Sequence, residues 1–440
     1  MKKIPTGYTL NECPPVGESI PLSLQQIVVL VFNVLPVPLL IGSGVGLSAS
    51  EITILVAGCL LVTGIATIIQ TIGFGPVGAR LPIPLECSFV FVAPGIALGA
   101  QYGLGVYTGA CLVGSIVTVV LWTAFHKQLS NLFKPYITGS VVTALGLSLC
   151  GVGIGYCAGG DGSADYGDPI NLLLAAGTII IMLALNHYGR KNFLSKASPL
   201  IAIVVMSCVA AAFGKLDLSG IASEPWFRTP QPLHFGLEFE LGPTVTITVL
   251  CFFALVELMG DQATAAMLAQ NRLANSKETR GGILAQGISS ILSTLFNNVP
   301  VISGSANIGL CGVSGVTSRY ITAIAGVVVA LCGLCPKLCA VFSAIPEPVL
   351  GGVALTAFGT ILVSGMTVIM SSKLTPRTTT IVGASLAVGI GFSMTANALA
   401  AFPFWVSTIL SGVPGTAITA VVLSLILRED KEEKAEAANQ

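Results

Sequence analysis

The sequence predicts an all-α polytopic membrane protein of about fourteen transmembrane segments, and three observations lead there. Of 440 residues, 53% are hydrophobic and only 9% are charged, against about 25% charged in an ordinary soluble domain. Apolar runs of bilayer-spanning length recur along the whole chain. The basic residues fall almost entirely in alternate loops, the pattern of a multi-pass protein with its positive loops inside. The longest polar stretches, Lys215–Glu240 and Arg428–Gln440, are too short to build a separate soluble core.

Spanning runs begin near Pro21, Glu51, Val106, Ile137, Pro169, Pro199, Val245, Gly282, Val316, Val349, Thr379 and Phe404. Two shorter, broken runs, Cys87–Ala100 and Val301–Val313, become segments 3 and 10. With an even count and the N-terminus inside, the loops after the even-numbered segments are cytoplasmic. They carry Arg80; Lys127 and Lys134; Arg190, Lys191 and Lys196; Arg272, Lys277 and Arg280; Arg319; Lys373 and Arg377; and Arg428, Lys431 and Lys434. With Lys2 and Lys3 also inside, only Lys215, Arg228 and Lys337 of the 20 basic residues lie outside. The expected divisions are a cytoplasmic N-terminus at 1–20, a first half at 21–214, an external loop at 215–240, a second half at 241–427 and a cytoplasmic tail at 428–440. The expected location is the cell membrane. Lys2 and Lys3 are not followed by a short apolar stretch with a cleavage site, so no removable signal peptide is expected.

Twelve cysteines lie mostly inside apolar runs and read as small packing residues. Cys332, Cys335 and Cys339 have metal-like spacing but no nearby His, and no metal is expected. The glycine groups at 42, 44 and 46 and at 151, 153 and 155 lack the strand, helix and acidic partner of a nucleotide fold, so they read as packing or loop glycines.

The two broken runs stand about half a chain apart. One follows Leu81-Pro82-Ile83-Pro84 and the other Pro300-Val301-Ile302-Ser303-Gly304. Paired short segments in two halves point to an inverted repeat with a binding site at the membrane midplane. Extended backbone at that depth must line a cavity or be buried in protein, because lipid cannot satisfy its hydrogen bonds. Each break then feeds a half-helix whose first N–H groups favour electronegative ligand atoms.

Between Glu240 and Arg272 the chain is almost uninterruptedly apolar, yet it holds Glu257 and Asp261. An ionised carboxylate there costs several kcal/mol and marks an ion or substrate path. One helical turn apart, the two share a face and can line a single polar cavity.

The run Ala306-Asn307-Ile308-Gly309-Leu310-Cys311-Gly312-Val313-Ser314, continuing to Ser318-Arg319, resembles the signature of the nucleobase/ascorbate transporter family, also called nucleobase cation symporter-2. That signature reads Gln or Glu, then Asn-x-Gly-x-x-x-x-Thr. Ser23-Leu24-Gln25-Gln26 with Pro36-Val37-Pro38 is similar to the family's first helix. Ser88-Phe89-Val90-Phe91 is similar to its third segment, Glu257-Leu258-Met259-Gly260-Asp261 to its eighth, and Ile345 to Gly352 to its twelfth. The likeness covers nearly the whole chain in order.

The resemblance implies a seven-plus-seven inverted repeat, a core domain of segments 1–4 and 8–11, and a gate domain of segments 5–7 and 12–14. It further implies a nucleobase held between segments 3 and 10, a proton as coupling ion, a homodimer in the lipid bilayer, no cofactor and no nucleic-acid partner. On this reading Glu257 bonds the base edge and exchanges the proton, and Asp261 shares the coupling or orients Glu257. Phe89 lays its ring on the base. Backbone N–H groups around Ser88, Phe89, Ala306 and Asn307 meet ligand carbonyls, with Asn307 also bracing the core. Gln26, Glu86, Gly309 and Ser314 stand behind or beside these groups.

The departures limit the substrate. Ala306 replaces the family's Gln or Glu, Ser314 its Thr, and Gln26 a frequent His, while Glu86 is an extra acid that could supply the missing contact, sit at an interface or start a helix. Asp261, where uracil-type members usually have His, leans the reading to xanthine or urate over uracil. An anion carrier of the same architecture is the main alternative outside the family, but such carriers usually append a soluble domain. An intramembrane aspartyl protease needs two catalytic aspartates on different helices, and only Asp261 lies in a spanning run. A transporter, not an enzyme, is expected.

Overall fold

The computed structural model describes residues 8–132, 134–160, 163–189, 197–216, 218, 221, 222, 224–372 and 374–427. Lys2, Lys3, Arg190, Lys191, Lys196, Lys373 and the tail at 428–440 lie outside the described residues.

Apolar runs with good helix formers became helices, ended by proline, glycine or polar caps. In order they are α1 (Val16–Val34), α2 (Pro36–Gly44), α3 (Ala49–Ile72), α4 (Val92–Tyr102), α5 (Leu104–Leu132), α6 (Pro135–Cys157), α7 (Pro169–Tyr188), α8 (Ser198–Ala212) and α9 (Leu241–Gln270). Then come α10 (Ser276–Leu295), α11 (Ser305–Ser314), α12 (Arg319–Gly333), α13 (Pro336–Ser343), α14 (Glu347–Met370), α15 (Pro376–Met394), α16 (Phe404–Leu410) and α17 (Gly412–Ile426). Two three-residue strands, β1 (Leu85–Cys87) and β2 (Val301–Ser303), precede α4 and α11. The broken third and tenth segments are thus short strands followed by half-helices.

Among the described residues, seven helical runs are long and apolar enough to cross a bilayer: Glu18–Gly44, Ala49–Ile72, Leu104–Ala124, Pro135–Cys157, Pro169–Tyr188, Leu241–Gln270 and Glu347–Met370. The pair α12 and α13 makes an eighth if counted as one bent span. The protein is a multi-pass membrane protein. The other expected segments are shorter (α4, α8, α17) or, like α10 and α15, richer in polar residues.

Two single spans of the sequence reading are interrupted. The run from Val316 bends by 87° between α12 and α13, where Pro336, with no N–H to continue a helix, opens the second piece. The cysteine triplet forms this corner, with the Cys339 thiol donating to the carbonyl of Cys332 at 3.6 Å. The run from Phe404 breaks between α16 and α17 at Gly412, whose φ of +61° suits glycine.

Contacts divide the chain into two compact units. One holds residues up to Thr123 together with Val152–Thr356, and the other Ala124–Gly151 together with the chain from Ala357. In the second, Tyr136, Ile137, Ile381 and Ala420 form a buried cluster on α6, α15 and α17. In the first, Leu81, Ile83, Ala265, Ala266 and Ile308 pack the β1 entry against α9 and α11. A second cluster joins α7, α8 and α14 through Leu174, Met182, Ile203, Met206, Val349 and Val353.

One close crossing is α3 on α12. A Cβ on Gly64 would stand 2.3 Å from the Gly326 carbonyl oxygen and 2.4 Å from the Ala330 nitrogen, and one on Gly333 2.5 Å from the Leu61 nitrogen. Lipid offers helices no hydrophobic reason to associate, so such backbone approach is what holds them. The polar loops are tied as well. Lys215 bonds Asp165 and, at 3.1 Å, Asp168, which holds the Asp165 carboxyl below the ordinary carboxylate range.

Candidate functional site

The centre of the first unit is a two-stranded antiparallel ladder pairing Leu85 with Ser303, Glu86 with Ile302 and Cys87 with Val301. It extends by one bond at each end, from Gly304 N–H to the Pro84 carbonyl at 2.9 Å and from Ser88 N–H to that of Pro300 at 3.3 Å. A two-stranded ladder has two open edges, which lipid cannot satisfy. A side-chain hydroxyl meets one outward-facing residue on each. Thr67 on α3 accepts from Leu85 N–H at 3.1 Å and donates to its carbonyl at 3.3 Å. Ser290 on α10 does the same for Val301, at 3.1 and 3.5 Å. A left-handed residue precedes each strand entry, Arg80 with φ +57° and Asn297 with φ +67°.

The half-helices start from this ladder. Ser88 caps the turn Phe89–Phe91 by accepting from Val90 N–H at 3.2 Å, and the Tyr107 hydroxyl on α5 donates to the Phe91 carbonyl at 2.8 Å. Gly304 precedes α11 without a side-chain cap. The N–H groups of Asn307 and Ile308 bond the Gly304 carbonyl at 3.2 and 3.3 Å, which leaves those of Ser305 and Ala306 without a carbonyl of their own helix. Ala306 and Gly309 are exposed on α11, Phe89 is half-buried, and Ser88 is 1% exposed.

The acids of α9 reach this break by different routes. Asp261 accepts from the Ser303 hydroxyl at 2.5 Å and the Ser305 hydroxyl at 2.7 Å, which ties α9 to the β2–α11 junction. Glu257, one turn earlier, takes no hydrogen bond from the described residues and lies in the field of both Asp261 and Glu86. Glu86 comes from β1, and its Oε2 is buried without a partner among the described residues. The structure thus brings Glu86, Glu257 and Asp261 into one electrostatic neighbourhood at the strand ends. Among the described residues no three His, Cys, Asp or Glu side chains converge closely enough to hold a metal ion.

Asn307 points away from the acids toward α1. Its amide donates to the Gln26 carbonyl at 3.2 Å, while the Gln26 amide donates to the Cys311 sulfur at 3.6 Å. Asn307 and Gln26 are 1% and 3% exposed, which fits a brace between α1 and α11 better than a ligand contact. Ser314 is exposed and accepts from Val316 N–H at 3.3 Å, in the turn that ends α11.

Sequence reading missed the edge-bonding pair Thr67 and Ser290 and the tethers Ser303 and Ser305. Hydroxyl residues in apolar helices commonly bond their own backbone, so nothing in their spacing singles them out. The 303–305 tether could have been sought from Asp261, since a buried carboxylate needs donors.

Comparison with known proteins bears on the same elements. A family model described as the Permease family matches residues 17–398, from the start of α1 to the turn before α16. The chain belongs to this family. Similar proteins include the uric acid permease PucJ of Bacillus subtilis, 34% identical over 93% of this permease and 93% of the relative. The xanthine permease of the same organism is 30% identical over 93% of this chain and 94% of its own. Likeness to solved structures extends further in fold than in sequence. The transmembrane domain of the cyanobacterial bicarbonate transporter BicA superposes with a TM-score of 0.63 at 16% identity, covering 95% of this permease and all of that domain. Membership of this family agrees with the resemblance read from the Ala306–Arg319 run.

Proposed function

We propose that this permease takes up a nucleobase, a purine such as xanthine or urate, by proton symport. The observation that carries the reading is Glu257, an acid in a spanning helix, without a hydrogen-bond partner among the described residues, beside two strand-broken segments. A carboxyl so placed can bond an N–H edge of a base and carry a proton with it. Phe89 would stack on the ring, and the first N–H groups of α11 would meet ring carbonyls. Asp261, already bonded by two serines, would set the position of Glu257 rather than touch the base. The xanthine and uric acid permeases among the relatives support the purine, and a uracil permease is the alternative within the family. An anion carrier shares the fold, but an unpaired carboxylate at the site would repel its cargo.

The reading includes fourteen segments in a seven-plus-seven inverted repeat, with segments 1–4 and 8–11 as core and 5–7 and 12–14 as gate, working as a homodimer with both termini cytoplasmic. The matched halves of the ladder support it: each strand follows a left-handed residue, has its outer edge bonded by a hydroxyl from the helix before it, and feeds a half-helix.

Uptake of radiolabelled xanthine against a panel of unlabelled purines and pyrimidines tests the substrate, and strongest competition by uracil would replace the purine. A protonophore is expected to collapse the accumulation. Uptake that survives it but requires sodium would show another coupling ion. The exposed Ala306 gives a third test, because Ala306→Gln adds an amide at the start of α11. A site that recognises by hydrogen bonds ranks ligands by which polar groups find partners, so the order among xanthine, urate and uracil is expected to change. An unchanged order with transport intact would place residue 306 away from the base.

A further inference from the structure

The sequence reading left Glu86 between a missing polar contact, an interfacial place and a helix start, and its surroundings narrow what it can be doing. A helix-starting role is already filled, because Ser88 caps the turn that follows. Pairing with a base is ruled out among its electrostatic neighbours, which are acids. Asp261, the nearest competitor for hydroxyl donors, has both serines. Glu86 Oε2 is left buried and unbonded among the described residues. A buried polar atom without a partner costs free energy that a water, ion or ligand can recover by supplying the bond.

The strand register also makes room for this carboxyl. Glu86 pairs with Ile302, so its side chain lies on the ladder face shared with residue 304. A Cβ on Gly304 would stand 3.1 Å from Glu86 Oε2, and the absence of one leaves the carboxyl its space. On the following helix Ala306 has no polar group to reach toward the ligand.

Resting on the nucleobase reading above, we propose that Glu86 is a second substrate-binding carboxylate. It accepts a hydrogen bond from the five-membered-ring N–H of an oxopurine, while Glu257 holds an N–H edge of the six-membered ring. Two acceptors on different elements, β1 and α9, fit a base with donors on both rings and leave one acceptor unpaired when a single-ring base binds. Selection of double-ring over single-ring bases then comes from Glu86, at the position in the site where this chain has an acid to spare.

The test is calorimetric titration of purified wild type, Glu86→Gln and Gly304→Ala with xanthine and with uracil. Loss of a charge-assisted hydrogen bond predicts that Glu86→Gln weakens xanthine by about tenfold or more, while uracil changes by less than about threefold. Gly304→Ala keeps the acid but crowds it, so the same selective weakening is expected on a smaller scale. Equal weakening of both bases, or no change in either, with the variants still monodisperse, would overturn the assignment. If wild type binds xanthine and Glu257→Gln removes that binding while Glu86→Gln leaves it intact, the nucleobase reading stands and this inference fails. If wild type binds neither base, both fall together.

Discussion

Cells expressing Glu257→Gln are expected to lose concentrative xanthine uptake down to the level of cells without the protein, while the variant reaches the membrane in normal amount. The exchange keeps the shape of the side chain and removes the ionisable proton and the charged acceptor. Loss of a hydrogen bond to a charged group costs about 1.5–3 kcal/mol, so binding alone should weaken by about tenfold or more. Accumulation is lost beyond that, because an amide cannot release a proton to drive the cycle. Binding and uptake measured side by side separate the two effects. Normal accumulation by Glu257→Gln would remove the acid from the mechanism. Retained facilitated exchange without accumulation would be the strongest support, since it isolates coupling from recognition.

Gly64→Val should be strongly damaging although it lies away from the site. Its side chain would start 2.3 Å from the Gly326 carbonyl oxygen and 2.4 Å from the Ala330 nitrogen, both backbone atoms that cannot rotate away. The α3–α12 crossing must then open, and overpacking of this kind costs about 1–3 kcal/mol or more. The expected readout is a lower melting temperature and a smaller monodisperse fraction in detergent, with weaker xanthine binding as a consequence, because α3 also carries Thr67. The same substitution at Gly46, where a Cβ meets nothing within 4 Å, controls for volume but introduces strain from its φ of +74°. Gly359, with equally open space and no such φ, is the cleaner control. Equal stability of Gly64→Val and Gly359→Val would mean that the crossing is not held by close backbone approach.

What the sequence revealed follows from how strongly each feature is forced. Long apolar runs have few alternatives in a bilayer, so the helices are found near their expected starts. Proline-rich entries at Pro82-Ile83-Pro84 and Pro300 cannot continue a helix, so the two breaks were legible too. Glu257 and Asp261 stood out because acids are expensive in apolar surroundings. Which of the two is tied down was not legible, since that depends on Ser303 and Ser305, remote in sequence and ordinary in type. The pairing of β1 with β2 escaped for the same reason: two three-residue strands carry no register signal long enough to read. The glycines picked out at 42 to 46 and 151 to 155 drew attention by clustering. Gly64, Gly326 and Gly333, spaced more widely, make the close helix crossing.

The bonded edges of the small ladder set a limit on how the molecule can move. Each strand is bonded on its inner side to the other and on its outer side to a hydroxyl of a neighbouring helix. Sliding one strand by one residue would turn its Glu86 or Ile302 to the opposite face and break its Thr67 or Ser290 bonds. Spreading the strands would strand buried N–H and C=O groups with no solvent to receive them. These bonds resist a change in the span between the starts of α4 and α11, like the jaws of a caliper locked at one setting. On the proposed reading, exposure of the cargo to one side of the membrane and then the other would be produced by elements that travel past this caliper.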